Sequence, residues 1–272
     1  MKRILITGAN SYIGTSFEKY MKENYPDDYQ IDTLDMLNSD WKDYDFSGYD
    51  TVFHVAGIAH QKETKENAYL YYEVNRDLAI ETANISKKSG VRQFVFMSSM
   101  SVYGLDCSDE LINLQTPIHP KTNYGKSKLE AEMEIQKLAD KDFTVSILRP
   151  PMVYGDDCPG NLTKLFKAVR KIHLFPTIKN KRSSITVEKL SEEVKNVIDE
   201  CSSKIYLPQN DTYMCTYDIV RKQMMKENVK VIYISIFNPI IKLLIGNVSL
   251  ITKCFGTLMY DKNYCISKDW SN

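Results

Sequence analysis

Tyr124 and Lys128 stand four residues apart in Tyr124-Gly125-Lys126-Ser127-Lys128, so on a helix they share one face. A tyrosine that exchanges protons near neutral pH needs its phenol pulled down from about 10, and a neighbouring ammonium favours the phenolate. Taken alone, the same residues also describe a solvated, Lys-rich helix start. A second group, Ser98-Ser99-Met100-Ser101-Val102-Tyr103-Gly104, follows directly on the run Gln93–Met97. A hydroxyl at a strand's C-terminal end faces the crevice where open α/β sheets bind ligands, and there it can hold a substrate hydroxyl or carbonyl. The plainer reading is a Ser-rich turn.

A third group, Thr7-Gly8-Ala9-Asn10-Ser11-Tyr12-Ile13-Gly14, falls where a first strand turns into a first helix. Glycines there permit a tight turn and close approach to a pyrophosphate, which then faces the positive end of the helix. A simple Gly-containing turn has the same composition. Asp35, at the end of the second strand, adds to the first reading, since an acid there accepts hydrogen bonds from a ribose diol and repels a 2′-phosphate. No Arg or Lys lies between Gln30 and Trp41, so NAD is expected rather than NADP. The alternative for Asp35 is a solvated loop acid.

These groups need a scaffold, and the sequence supplies one. Short β-rich runs at Arg3–Ile6, Tyr29–Asp35, Thr51–Ala56, Gln93–Met97 and Phe143–Leu148 alternate with helical spacing at Gly14–Tyr25, Glu66–Lys88 and Tyr124–Lys141. That alternation predicts an α/β, Rossmann-type, doubly wound parallel sheet. After Pro150-Pro151 the pattern loosens, with helices expected at Leu162–Lys171, Glu188–Glu200 and Thr216–Glu227. We therefore expect a dinucleotide-binding domain over residues 1–155 and a smaller C-terminal substrate-binding lobe over 156–272, with the chain free to cross between them.

Composition narrows the classes. The chain has 272 residues, with 35 Lys plus Arg against 35 Asp plus Glu. Such a balance gives no basic footprint for nucleic acid, so none is expected as a partner. Six cysteines without a CxxC pair read as reduced thiols in a cytoplasmic protein, and no metal site is expected. His54, His60, His119 and His173 have no identifiable acid partner and read as structural or surface residues. The apolar stretch Val229–Met259 is interrupted by Lys230, Asn238-Pro239, Lys242, Asn247 and Lys253. It is too broken for a membrane span, so a packed helix is expected, with Ile236–Leu258 as core or dimer contact and an interfacial helix as the alternative.

Together, TGxxGxxG, SSxxVYG and YxxxK resemble the extended short-chain dehydrogenase/reductase family, in its NAD-dependent epimerase/dehydratase branch. Phe53-His54-Val55-Ala56-Gly57, Asn75 and Leu148-Arg149-Pro150 match further landmarks, and the resemblance covers about residues 1–190. It implies Tyr124 as acid/base, Lys128 as the group that tunes it and holds the nicotinamide ribose, and Ser99 as the hydroxyl polarising the reacting C–O group. Gly8, Ser11, Tyr12, Ile13, Gly14 and Asp35 would line the dinucleotide, with Ala56, Gly57 and Asn75 further along and Pro151 at the nicotinamide end. Asn161 and Arg182 would hold the substrate's nucleotide diphosphate. A homodimer is implied in the same way.

The departures are informative too. Ser11 replaces a glycine of the motif and adds a side chain where backbone should approach phosphate. The segment from Tyr29 to Tyr49 is short, which predicts an abbreviated strand-helix unit, and the C-terminal lobe is expected to be reduced. Met100 and Ser101 stand where the family's 4,6-dehydratases carry an acidic pair, so dehydration is disfavoured. The expectation is an NAD-dependent nucleotide-sugar 4-epimerase working through a transient 4-keto sugar, towards which Tyr103 leans. A 4-keto nucleotide-sugar reductase or dehydrogenase, or a non-catalytic dinucleotide-binding protein, are the alternatives.

Overall fold

The computed structural model describes residues 1–37, 39–59, 63–263 and 265–269. The expectation for His60 lies outside the described residues. Its first half runs β1 (Lys2–Thr7), α1 (Tyr12–Asn24), β2 (Tyr29–Leu34), β3 (Thr51–His54), α2 (Ala68–Tyr72), a π-turn (Glu73–Asp77), α3 (Leu78–Lys88), β4 (Gln93–Met97), α4 (Asn123–Gln136) and β5 (Thr144–Leu148). The second half runs β6 (Met152–Tyr154), α5 (Asn161–Ile172), β7 (Leu174–Pro176), β8 (Ser184–Thr186), α6 (Val187–Glu200), β9 (Ile205–Tyr206), α7 (Thr216–Lys226), β10 (Ile232–Ile234), α8 (Asn238–Leu244) and α9 (Ser249–Phe255).

Six strands form one parallel sheet in the order β2-β1-β3-β4-β5-β9. Every residue of β3 and of β4 is buried, as expected of central parallel strands covered on both faces. On one face, Ala79, Ala83, Ala131 and Ile135 from α3 and α4 pack on Leu5, Val52, Phe94 and Val145. On the other, Phe17 and Met21 from α1 meet Leu190, Val194 and Ile198 from α6 over Ile4, Ile6 and Val95.

Among the described residues between β2 and β3 the chain makes only a 3-10 turn, Ser39–Asp43, so this unit is abbreviated. Trp41, Phe46 and Tyr49 from that connection fill the core in place of a helix. The chain leaves the sheet after β5, returns through α6 and β9, and leaves again. The excursions form two-stranded pairs, β6 with β8 and β7 with β10, none of which the periodicity announces because each strand has only three residues.

The expected packed helix over Val229–Met259 is not what forms. Asn238-Pro239 starts a seven-residue helix, α8, that buries no residue, and a turn at Gly246 precedes α9. The two ends of the stretch do reach the interior: Val229, Val231 and Tyr233, with Phe255, pack against Val169, Phe175, Val220 and Met224, and Leu258 and, just beyond it, Tyr260 join Val102, Tyr103 and Leu207. Among the described residues no helix is long and apolar enough to cross a membrane.

Candidate active site

The carboxyl ends of β1, β3, β4 and β5 face the second-half excursions across a cleft of about 1520 Å³. Ser11, Tyr12, Ile13, Gly57, Ser99, Tyr124, Lys128, Pro151, Asn161 and Arg182 all line it, so residues scattered over 170 positions of sequence meet in one space. Gly8, Gly14, Asp35, Ala56 and Asn75 do not line it, and each has a supporting place instead.

Gly8 has φ +114°, and a Cβ there would stand 2.6 Å from the Ala56 nitrogen. The turn is thus pressed onto the end of β3, with the N-terminus of α1 opening on the cleft. That cradle fits a dinucleotide's pyrophosphate. Ser11 does not intrude in the way its side chain suggests. It caps α1, its Oγ accepting from the Gly14 amide at 3.1 Å, so it occupies one of the helix's free donors rather than blocking the approach. Asp35 follows β2, where the Gly8 and Ala9 amides both donate to Leu34 O at 2.9 and 3.0 Å. It therefore sits beside the turn, its Oδ1 accepting from Leu37 N at 2.9 Å.

Asn75 lies in the π-turn, a conformation that adds one residue to a helical turn and recurs at functional sites. Its Oδ1 accepts from Ile58 N at 2.8 Å and its Nδ2 donates to Ile58 O at 3.1 Å, so it holds the loop carrying Gly57 as a strand partner would.

Tyr124 and Lys128 lie on α4, which Thr122 caps through a bond from Gly125 N at 3.1 Å. Ser99 begins a 3-10 turn, Met100–Tyr103, and its Oγ accepts from Ser101 N at 3.1 Å. The Ser99 hydroxyl donates to Ser101 Oγ at 3.1 Å, and its side chain lines the cleft together with the Tyr124 phenol, which brings the two expected groups into one space. Burial nevertheless pushes that phenol above its usual range; Ser99 works against the rise and Tyr71 adds to it. The expected lowering by Lys128 is not what the arrangement gives. Lys128 is itself buried, its Nζ donates to Met97 O at 2.9 Å and lies 4.7 Å from the Phe96 ring centroid, and burial brings its pKa down to about 8.

Behind Lys128 stands a charged group that the sequence reading missed. Glu132, one turn further along α4, is bound by Arg149 through Nε at 3.1 Å and Nη2 at 2.6 Å, and by the Ser98 hydroxyl. Glu132 and Arg149 are both buried, and Glu132 opposes the fall in the Lys128 pKa. The signal was present as the i, i+4, i+8 row Tyr124-Lys128-Glu132. Arg149 Nη1 also donates to Tyr103 Oη at 3.1 Å. Tyr103 is therefore a core residue tied to this network. His54 is structural as expected, with Nδ1 2.8 Å from Thr7 Oγ1 and the ring between Phe94 and Phe96.

Across the cleft, Asn161 is the first residue of α5, and Tyr12 Oη donates to Asp156 O at 3.2 Å, bridging the two sides. Arg182 Nη1 donates to Gly256 O at 2.8 Å just past α9. Its guanidinium is thus fixed at the negative end of a helix while lining the cleft. Lys222, Lys226 and Lys253 line the same wall.

UDP-glucose 4-epimerase of Vibrio cholerae is 29% identical over 248 residues, covering 81% of this chain and 74% of that protein. Further curated relatives are matched over about half of their length or less. Among solved structures, a dTDP-4-dehydrorhamnose reductase from Clostridium acetobutylicum superposes with a TM-score of 0.72 at 21% identity, covering 86% of this chain and 83% of that one. UDP-glucuronic acid 4-epimerase from Bacillus cereus, solved with NAD, superposes with a TM-score of 0.71 at 16% identity, covering 95% and 89%. The model of the NAD dependent epimerase/dehydratase family matches residues 4–189, a span that includes the Gly8 turn, Ser99, Tyr124, Lys128, Asn161 and Arg182. The chain belongs to the NAD dependent epimerase/dehydratase family.

Proposed function

We propose that this chain is a nucleotide-sugar 4-epimerase, with a UDP-sugar as substrate and a 4-keto sugar as the transient species. NAD, bound against the Gly8 turn and the N-terminus of α1, supplies hydride acceptance and return. The observation that carries the reading is the convergence of Ser99, Tyr124 and Lys128 on one cleft.

The chain's own groups divide the work. The Tyr124 oxygen takes the proton of the sugar's 4-hydroxyl and gives it back after the ring turns over. Ser99 donates a hydrogen bond to the same sugar oxygen and holds it as charge develops there. The Lys128 ammonium, close to its titration range, gives the phenol its electrostatic partner once substrate excludes water from the cleft. Arg182 and Asn161 hold the diphosphate, which keeps the sugar in place while it reorients. Met100 and Ser101 offer no acid for proton removal at a neighbouring carbon, which argues against dehydration.

The test is to purify the chain without added cofactor, denature it, and identify the released nucleotide by mass spectrometry. Near-stoichiometric NAD or NADH supports an enzyme that recycles its cofactor in place, and UDP-glucose and UDP-N-acetylglucosamine are then assayed. An empty site that binds added dinucleotide points to a 4-keto-sugar reductase instead. Tyr124→Phe should abolish turnover while keeping the dinucleotide; substantial retained activity sinks the assignment.

A further inference from the structure

The polypeptide from Asn228 to Tyr260 differs in charge from everything around it. It contains Lys230, Lys242 and Lys253 and not one Asp or Glu, in a chain where acids and bases balance at 35 each. It also carries several of the molecule's exposed large apolar side chains. Ile236 and Leu243 are 77% exposed, Leu250 is 74% exposed, and Ile240 and Phe237 are exposed too. Ile236, Ile240 and Leu243 follow i, i+4, i+7 spacing, which places them along one side of α8 and its entry turn. A contiguous apolar face of this kind on a water-soluble fold marks a place where something docks.

We propose that the α8–α9 hairpin docks on the anionic surface of a phospholipid bilayer, with Ile236, Phe237, Ile240, Leu243 and Leu250 entering the headgroup boundary and the lysines meeting lipid phosphates. Apolar side chains bounded by lysine and by no acid form the pattern that lies in a membrane interface rather than across it. Acids on the neighbouring helix do not spoil the charge, since Glu227 is held by Arg170 through Nε at 2.6 Å and Asp218 by Lys179. A two-fold pairing of copies through this face would bring Lys242 of each towards the same cationic hairpin, which works against a dimer there. The hairpin is also continuous with the cleft: Lys253 lines it, and Arg182 is anchored on the carbonyl at the end of α9. Docking would therefore turn the cleft's basic wall towards the membrane surface. The proposal stands independently of the reaction assigned to the cleft.

The experiment uses the full chain in co-sedimentation with vesicles of phosphatidylglycerol mixed with phosphatidylethanolamine, beside vesicles of phosphatidylcholine alone, at low salt. The chain should pellet with the anionic vesicles and far less with the neutral ones. Ile240→Asp with Leu243→Asp should weaken the partition by at least about tenfold. Lys230→Glu with Lys242→Glu should weaken it by a similar factor, on the order of tenfold, on anionic vesicles only. All four side chains are exposed or half-buried and lie outside the cleft, so both variants should melt with the parent chain. No binding to anionic vesicles, equal binding to both kinds, or binding untouched by either pair of substitutions would overturn the proposal. So would light scattering that shows a dimer dissolved by Ile240→Asp with Leu243→Asp, since the face would then belong to a second copy.

Discussion

Replacing Lys128 by methionine should make the protein more tolerant of denaturant near neutral pH. The lysine is buried, and its pKa falls from the usual 10.5 to about 8 on folding. That difference corresponds to about 3 kcal/mol against the folded state at pH 7, where folded and unfolded chains both carry the proton. Between about pH 8 and 10.5 the folded chain gives up its proton first, so stability rises with pH and the cost fades. Methionine matches the side chain's length and never ionises. It forfeits the bond to Met97 O, and an unpaired buried carbonyl costs about 1–3 kcal/mol. At pH 7 the variant should therefore lie between parity and about 2 kcal/mol above the parent chain. The sharper quantity is the change in that gap, because a neutral amine keeps the Met97 bond and only ionisation varies. Urea unfolding followed by far-UV circular dichroism should show the gap moving by about 2 kcal/mol against the variant between pH 7 and pH 10. A gap that holds one value across that range would refute the reasoning, since it would mean that Lys128 is not charged in the folded protein or is not desolvated there.

Three further outcomes follow from the same contacts. His54, with a pKa lowered to about 3 by burial, gains a proton only when the chain unfolds, so about 2 kcal/mol should be lost between pH 6.5 and pH 5. His54→Phe should flatten that part of the urea-midpoint profile; an unchanged acid limb would count against it. Gly155→Ala places a Cβ 2.5 Å from Tyr12 Oη and 3.0 Å from Val187 Cγ1, which should cost about 1–3 kcal/mol in thermal unfolding and be partly relieved by Tyr12→Phe. Glu132→Gln leaves the Arg149 charge buried without its counter-ion, at a cost of about 3–5 kcal/mol in chemical denaturation. A loss well under 1 kcal/mol there would show that the charge finds another partner.

Much of the scaffold was legible because parallel strands buried on both faces must be continuous apolar runs; Gln93–Met97 announces itself in that way. The cleft residues were legible because glycine, tyrosine, lysine and serine sit at spacings that only a strand end or a helix face can use. Glu132 and Arg149 were not, since charged side chains read as solvated until a partner 17 residues away turns out to be within hydrogen-bond reach. Ser11 read as an obstruction because a pattern shows what is missing, whereas the cap it makes depends on where the Gly14 amide points. The stretch Ile236–Leu258 read as interior because apolarity usually means burial. Hydropathy carries no information on whether a neighbour exists to do the burying, and α8 ends with none of its residues fully buried.

The π-turn at Glu73–Asp77 gives the long segment from Ala68 to Lys88 an unusual kind of freedom. A π-turn takes up one residue more than an α-turn, so the two flanking helices keep separate angular phases around a shared axis. Tyr71 before the turn and Ala79, Thr82, Ala83 and Ser86 after it are all buried, and an unbroken α-helix would set those two groups about 100° out of step. Deleting one residue from the turn would preserve a continuous helical ladder and still misassemble the protein, because Asn75 and Tyr71 would swing away from the loop and the phenol they now face. The extra residue is thus a clutch between two gears: length can change on either side of it, but only in whole turns.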